Sequence, residues 1–129
     1  MNPILPTPNT PTTVLLVDDD PFMLRLMDLI LRDAGYDIIQ AQSGEEALAA
    51  IRERAKVDLV ISDVVMPGMN GELLRETVKR YWPNCKFIVC SGYPDKCWEL
   101  ANGEEKIATL PKPFTASVLK TRVKEVLEG

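Results

Sequence analysis

Two short runs constrain this chain more than any other feature. Val14-Leu-Leu-Val17 and Leu59-Val-Ile-Ser62 show almost no polar alternation, so a strand made from either must be covered on both faces. A hairpin sheet with one wet face cannot use them. Around them, short β-branched runs alternate with longer segments of helical spacing, the pattern of βα units building a parallel sheet. The expected strands are Val14 to Val17, Asp37 to Ala41, Asp58 to Ser62, Lys86 to Cys90 and Ile107 to Leu110. The first and third belong in the middle of the sheet. The last runs into Pro111 and Pro113, which cannot donate to a ladder and suit a margin. Right-handed crossovers then bring all five strand C-termini to one side, where an open α/β fold keeps its site. With 129 residues the chain has room for one such domain and not two.

Helix signals fall between the strands. Asp20 followed by Pro21 gives a capping carboxylate and a φ-fixed first turn, and Gly35 stops the helix after Ala34. Ser43 and Glu46 form a capping box for a helix through Arg54. Asn70 and Thr115 are caps for helices ending near Tyr81 and Leu127. In the last helix Val118, Leu119, Val123, Val126 and Leu127 are read as one apolar stripe, with Lys120, Lys124 and Glu128 facing water. Asp95 to Ala101 is the weakest helix, and the Pro- and Thr-rich residues 1–12 read as a mobile tail before a domain over 13–129.

Composition removes several kinds of chemistry. There is no histidine, so no imidazole on this chain serves as base, metal ligand or phosphocarrier. A net charge of -4 opposes capture of nucleic acid or anionic lipid. Cys85, Cys90 and Cys97 are odd in number and lack zinc spacing, and Cys85 and Cys90 would point to opposite faces of one strand. Reduced thiols and the absence of a leader or a long apolar run point to the cytoplasm, with no membrane association.

The strand ends carry the chemistry. Strand one ends in Asp18, Asp19 and Asp20, strand three in Asp63, strand four in Ser91 and strand five in Lys112. If strands one and three are neighbours, Asp18, Asp19 and Asp63 converge, and clustered carboxylates repel unless a cation neutralises them. Mg²⁺ suits an oxygen-only set that lacks His and paired Cys. Lys112 adds a positive charge and Ser91 a hydroxyl donor, which together cradle a phosphoryl group beside Asp63 as nucleophile. A carboxylate is ionised at neutral pH and needs no general base. Asp20 is assigned to capping and left out of the site. Gly68 and Gly71 shape the following loop by turn chemistry.

Four strings, Val14-Leu-Leu-Val-Asp-Asp-Asp-Pro21, Asp58-Leu-Val-Ile-Ser-Asp-Val-Val-Met-Pro-Gly-Met-Asn-Gly71, Ser91-Gly92-Tyr93-Pro94 and Lys112-Pro113-Phe114, occur in order, each at an expected strand end. In these the sequence resembles the receiver domain of bacterial response regulators, the CheY-like superfamily, over about residues 13 to 128. The resemblance implies a doubly wound, flavodoxin-like (βα)5 fold with strand order 2-1-3-4-5. It also implies a two-component or phosphorelay switch that takes a phosphoryl group from a partner phosphohistidine, without turnover of an external substrate. Carried over by position, Asp63 is the phosphoacceptor. Asp19, Asp63 and the Val65 backbone carbonyl ligate Mg²⁺, and Asp18 acts mainly through water. Ser91 is the switch hydroxyl, Lys112 the phosphate-binding lysine, Lys112-Pro113 a cis bond, and Gly92 the small residue that leaves the phosphoryl group accessible. Thr109 departs from the pattern, because the family usually places Phe or Tyr there as an aromatic relay to its output face. The Ser-Gly-Tyr and Leu-x-Lys-Pro-Phe strings are common in receivers attached to, or served by, hybrid histidine kinases.

Phe22, Leu26 and Leu29 follow at spacings of four and three along the first helix, either as core or as a docking strip for a histidine kinase or histidine phosphotransfer domain. Met23, Met27, Ile30 and Leu31 already give that helix an inward face. Trp98 and Tyr93 are either packing for a lid or a partner patch. The downstream target is another protein, or the chain is a segment of a larger one. Two other readings stay open: a receiver-shaped interaction module that is never phosphorylated, and an Mg²⁺-dependent aspartyl-phosphate phosphatase of haloacid-dehalogenase type. The string Asp18-Asp19-Asp20 and the short connections suit the phosphatase poorly.

Overall fold

The computed structural model describes residues 11–53, 56–63, 71–91 and 108–129, with the side chains of 71–73 and 91 left aside. In chain order the elements are β1 (Thr13–Val17), α1 (Pro21–Asp33), β2 (Asp37–Ala41), α2 (Gly44–Glu53), β3 (Leu59–Asp63), α3 (Gly71–Tyr81), β4 (Lys86–Ser91), β5 (Ala108–Pro111) and α4 (Ala116–Glu128). The sheet is parallel throughout, in order β2-β1-β3-β4-β5. Strands β1 and β3 are central and β5 is an edge, as the apolar runs and the two prolines require. The order and the parallel sense are those of the flavodoxin-like fold that the resemblance implies.

Side-chain alternation splits the core in two. Val14 and Leu16 of β1, Leu59 and Ile61 of β3, Ile88 and Cys90 of β4 and Leu110 of β5 face one side, against Leu24, Met27 and Leu31 of α1 and Leu119 and Val123 of α4. Leu15, Val17 and Val60 face the other, against Ala47 and Ile51 of α2 and Leu74 and Val78 of α3. Cys85 packs on this second side and Cys90 on the first, so the two thiols are separated by the sheet. No described helix is long and apolar enough to cross a membrane.

Local signals act largely as the sequence implies. Asp20 caps α1, its Oδ1 accepting the Phe22 N–H at 2.9 Å, and Gly35 leaves the helix at φ 102°, a left-handed conformation that glycine adopts without a Cβ clash. Ser43 Oγ accepts the Glu46 N–H at 3.1 Å. The return arm of this box differs from the usual one, because Glu46 Oε1 accepts from the Gln42 N–H one residue upstream. Thr115 Oγ1 accepts the Val118 N–H at 3.1 Å and caps α4.

One assignment is corrected. Val118 is 46% exposed and lies off the stripe of α4, since the residue before Leu119 is rotated about 100° away from it. Strand bounds shift by one: β3 continues to Asp63 and β4 to Ser91, because Cys90 and Pro111 in the neighbouring strands lie opposite them. The segment 1–10, Arg54, the Asn70 cap, the 66–70 turn, the helix from Asp95 to Ala101, and Val65, Gly92, Tyr93, Cys97 and Trp98 lie outside the described residues.

Candidate functional site

Register brings the acidic residues together. Val17 lies opposite Ser62 in the β1–β3 ladder, so Asp18 and Asp63 each stand one residue beyond a matched pair. Period-two alternation through Leu16 and Asp18, Ile61 and Asp63, and Leu110 and Lys112 sends all three polar side chains toward the face shared with α1 and α4. Carboxylate oxygens of Asp18, Asp19 and Asp63 lie within 4.8 Å of one another. Asp18 is buried, Asp63 half-buried and Asp19 exposed, so the cluster opens to solvent at one side.

Lys112 closes the other side. Its Nζ donates to Asp18 Oδ2 at 2.8 Å and to Asp63 Oδ2 at 3.2 Å. Burial works against the ammonium, but the hydrogen bond and charge of Asp18, and then those of Asp63, outweigh it and hold the lysine above its usual range. Lys112 therefore stays charged throughout the neutral range. The peptide after it, Lys112-Pro113, is cis, as the resemblance implies.

Asp18 is held from both ends, because its Oδ1 accepts the Asp20 N–H at 2.9 Å. The sequence reading assigned Asp20 only to capping. Its side chain does cap α1, yet its backbone also fixes the orientation of Asp18, a role legible in the Asp-x-Asp spacing as an Asx turn. The Asp18 N–H donates to the Ala41 carbonyl at 3.1 Å, which ties the strand end to β2. Behind the cluster, the buried Ser62 hydroxyl donates to the Asp63 carbonyl at 3.0 Å.

Of the expected site residues, Asp18, Asp19, Asp63 and Lys112 converge. Ser91 ends β4 one residue beyond Cys90, the partner of Asp63, which brings its backbone to the same end of the sheet. Among the described residues three carboxylates meet the Lys112 ammonium, which leaves an all-oxygen set with surplus negative charge. That donor set fits a hard divalent cation such as Mg²⁺. On α1, Phe22, Leu26 and Leu29 are 82%, 48% and 65% exposed, while Leu24, Met27 and Leu31 fill the core. The strip left open between core and docking faces outward.

Known proteins share this fold. Residues 14–124 match the family of response regulator receiver domains. The sensor kinase CckA of Brucella abortus (strain 2308) is 41% identical over 118 residues, which are 90% of this chain and 12% of that kinase's length. The chain thus spans a small part of that curated relative. The solved receiver domain of the hybrid histidine kinase CckA superposes with a TM-score of 0.77 at 34% identity, covering 89% of this chain and 98% of that one. A CheY-like receiver domain from Methanospirillum hungatei JF-1 gives a TM-score of 0.83 at 28% identity, covering 92% and 95%. With the family match running through every strand and across the acidic cluster, this chain belongs to the response regulator receiver domains.

Proposed function

We propose that Asp63 is the phosphoacceptor of this receiver domain and takes its phosphoryl group from a phosphohistidine on a partner histidine kinase or histidine phosphotransfer domain. The observation that carries the assignment is Lys112 Nζ at 3.2 Å from Asp63 Oδ2, within a cluster of three carboxylates at the strand ends. An Asp63 oxygen attacks phosphorus, the P–N bond breaks, and its electron pair leaves with the partner's imidazole nitrogen. The product is an aspartyl phosphate. Asp18, Asp19 and Asp63, with the Val65 carbonyl, would hold Mg²⁺, which when bound supplies positive charge against the phosphoryl oxygens.

Lys112 orients toward the acceptor and offsets charge on the incoming oxygens, and the Ser91 hydroxyl is assigned to donate to one of them. Asp20, through its N–H, keeps Asp18 aimed into the cluster. Phe22, Leu26 and Leu29 form the apolar strip on which the donor helix docks. Adding a phosphate's charge and acceptor oxygens draws Ser91 and Lys112 inward and biases the protein between two surfaces, one of which binds a downstream protein. Thr109 lies opposite Val89 in the β4–β5 ladder and cannot relay the change with a ring, so a different surface carries the output.

The test is incubation with acetyl phosphate and Mg²⁺ followed by intact mass. One phosphoryl adduct on the wild type, absent from Asp63→Asn and diminished in Lys112→Met, is the expected result. An adduct that persists in Asp63→Asn moves the acceptor elsewhere. Absence of any adduct on the wild type, with partner binding unchanged by Asp63→Asn, favours the unphosphorylated interaction module.

A further inference from the structure

The strip on α1 is bordered by cations that make no ion pair among the described residues. Arg25 lies three residues after Phe22 and four before Leu29, hence beside both on the helix surface, and it is exposed. On the adjoining α4, Lys120 and Lys124 are exposed one turn apart and share a strip with Leu127, which packs against the core common to α1 and α4. Glu128, the residue after Leu127, acts electrostatically on Tyr36 just past α1, which places this side of α4 toward α1. Among the described residues, Arg25, Lys120 and Lys124 make no ion pair.

This is unexpected on charge grounds. The chain is acidic overall, at -4, and the neighbouring pocket holds three carboxylates. Cations that make no ion pair among the described residues, beside an exposed apolar strip, are therefore local exceptions to the sign of the whole. They also decide between occupants. A second copy of this chain, docked strip to strip, would bring Arg25, Lys120 and Lys124 up to the same three cations, with the exposed acids Asp33 and Glu128 too few to answer them all, and like charges facing each other oppose association. An amphipathic helix with acidic residues beside its apolar face would satisfy both features.

From these features we infer that the α1–α4 face selects partners whose docking helix flanks its apolar residues with Asp or Glu, with Arg25, Lys120 and Lys124 as the residues that determine this specificity. The inference deepens the phosphotransfer reading, on which it rests for the identity of what that helix carries. The pocket's negative charge repels an anionic donor, and the cationic border offsets that repulsion during encounter. Rim charges of this kind act mainly on association rate and on salt dependence.

Two designed four-helix bundles serve as probes. Each presents one exposed helix with Leu and Phe at positions i, i+4 and i+7, flanked by Glu in one bundle and by Lys in the other. Binding to the full chain is measured by fluorescence anisotropy at low and high salt. The Glu-flanked bundle should bind at least about tenfold tighter, with the preference fading at high salt. Arg25→Glu combined with Lys124→Glu should reverse the preference, and Phe22→Ser with Leu26→Ser should abolish binding of both bundles. All four positions are exposed, so the fold tolerates these changes, and circular dichroism verifies it. Equal affinity for the two bundles, a preference untouched by the charge reversal, or concentration-dependent dimerisation through Leu29 would each overturn the inference. Acetyl phosphate, a donor too small to need docking, separates the two readings. An Asp63 adduct forming normally in the charge-reversed chain, without any bundle preference in the wild type, sinks the specificity inference alone. No adduct in the wild type sinks the acceptor reading, whatever the bundles do.

Discussion

Replacing Lys112 by Met keeps the apolar stem and removes the ammonium that pairs with Asp18 and Asp63. Asp18 has a side chain only 2% exposed, so water cannot replace the lost partner. Breaking a buried pair from one side costs about 3 to 5 kcal/mol. The expected loss is taken in the lower half of that range, roughly 3 to 4 kcal/mol at pH 7. In a domain of this size each kcal/mol shifts Tm by about 3 to 5 °C, so Lys112→Met should melt roughly 10 to 15 °C lower at pH 7 in EDTA. Mg²⁺ should then stabilise the variant more than the wild type, because no ammonium competes for the same oxygens and binding to the folded state adds stability by mass action. Thermal melts at pH 7 followed by circular dichroism, with and without millimolar MgCl2, read all of this. A Tm loss of under about 3 °C in EDTA at pH 7, or a Mg²⁺ increment equal in the two proteins, would refute the reasoning. Asp18→Asn in the same background should recover most of the loss, since it removes the stranded charge.

Three further outcomes follow from single groups. Burial, with the charge of Asp58 second, pushes the Cys85 thiol up to about 12. The folded state thus keeps a proton that the unfolded chain releases above about pH 8.5, and stability falls from there toward pH 12 by up to roughly 1.4 kcal/mol per pH unit. Cys85→Ala should flatten that alkaline limb in urea titrations, and an unchanged slope would count against the assignment. Arg32 pairs with Asp28 at 2.8 Å and donates to the Ile38 carbonyl at 3.4 Å, on the edge strand β2, whose even-numbered residues face away from β1. Arg32→Ala should leave stability nearly unchanged yet raise light scattering on heating, because an unguarded edge pairs with other chains; equal scattering would rule out a guarding role. Removing the cap hydroxyls by Ser43→Ala or Thr115→Ala should each cost about 1 kcal/mol in chemical denaturation, and no measurable loss would mean that water replaces them.

Much of the site was legible because one rule runs from the core to the chemistry. The alternation that buries Leu16 and Ile61 on one side of the sheet also aims Asp18 and Asp63 there, so the central places of β1 and β3, read from two unbroken apolar runs, imply a carboxylate cluster once the strand order of the resemblance makes them neighbours. Strand ends were less legible. Whether Asp63 and Ser91 extend their strands depends on what the neighbouring strand offers, and that is absent from the local pattern. Helix faces were harder again. On α1, apolar residues ring most of the circumference, so periodicity left Phe22, Leu26 and Leu29 undecided until the sheet claimed Leu24, Met27 and Leu31. On α4 the reverse error occurred, with Val118 credited to a stripe that one step of helical rotation places it outside. The least legible feature is the pairing of Lys112 with Asp18, 94 residues apart, together with the Asp20 N–H that holds Asp18 from behind. Strand-end residues announce which groups reach the pocket. Whether a cation, a backbone donor or a neighbouring acid faces each oxygen is settled only by how the loops close, and that assignment gives both carboxylate oxygens of Asp18 a partner before any ligand arrives.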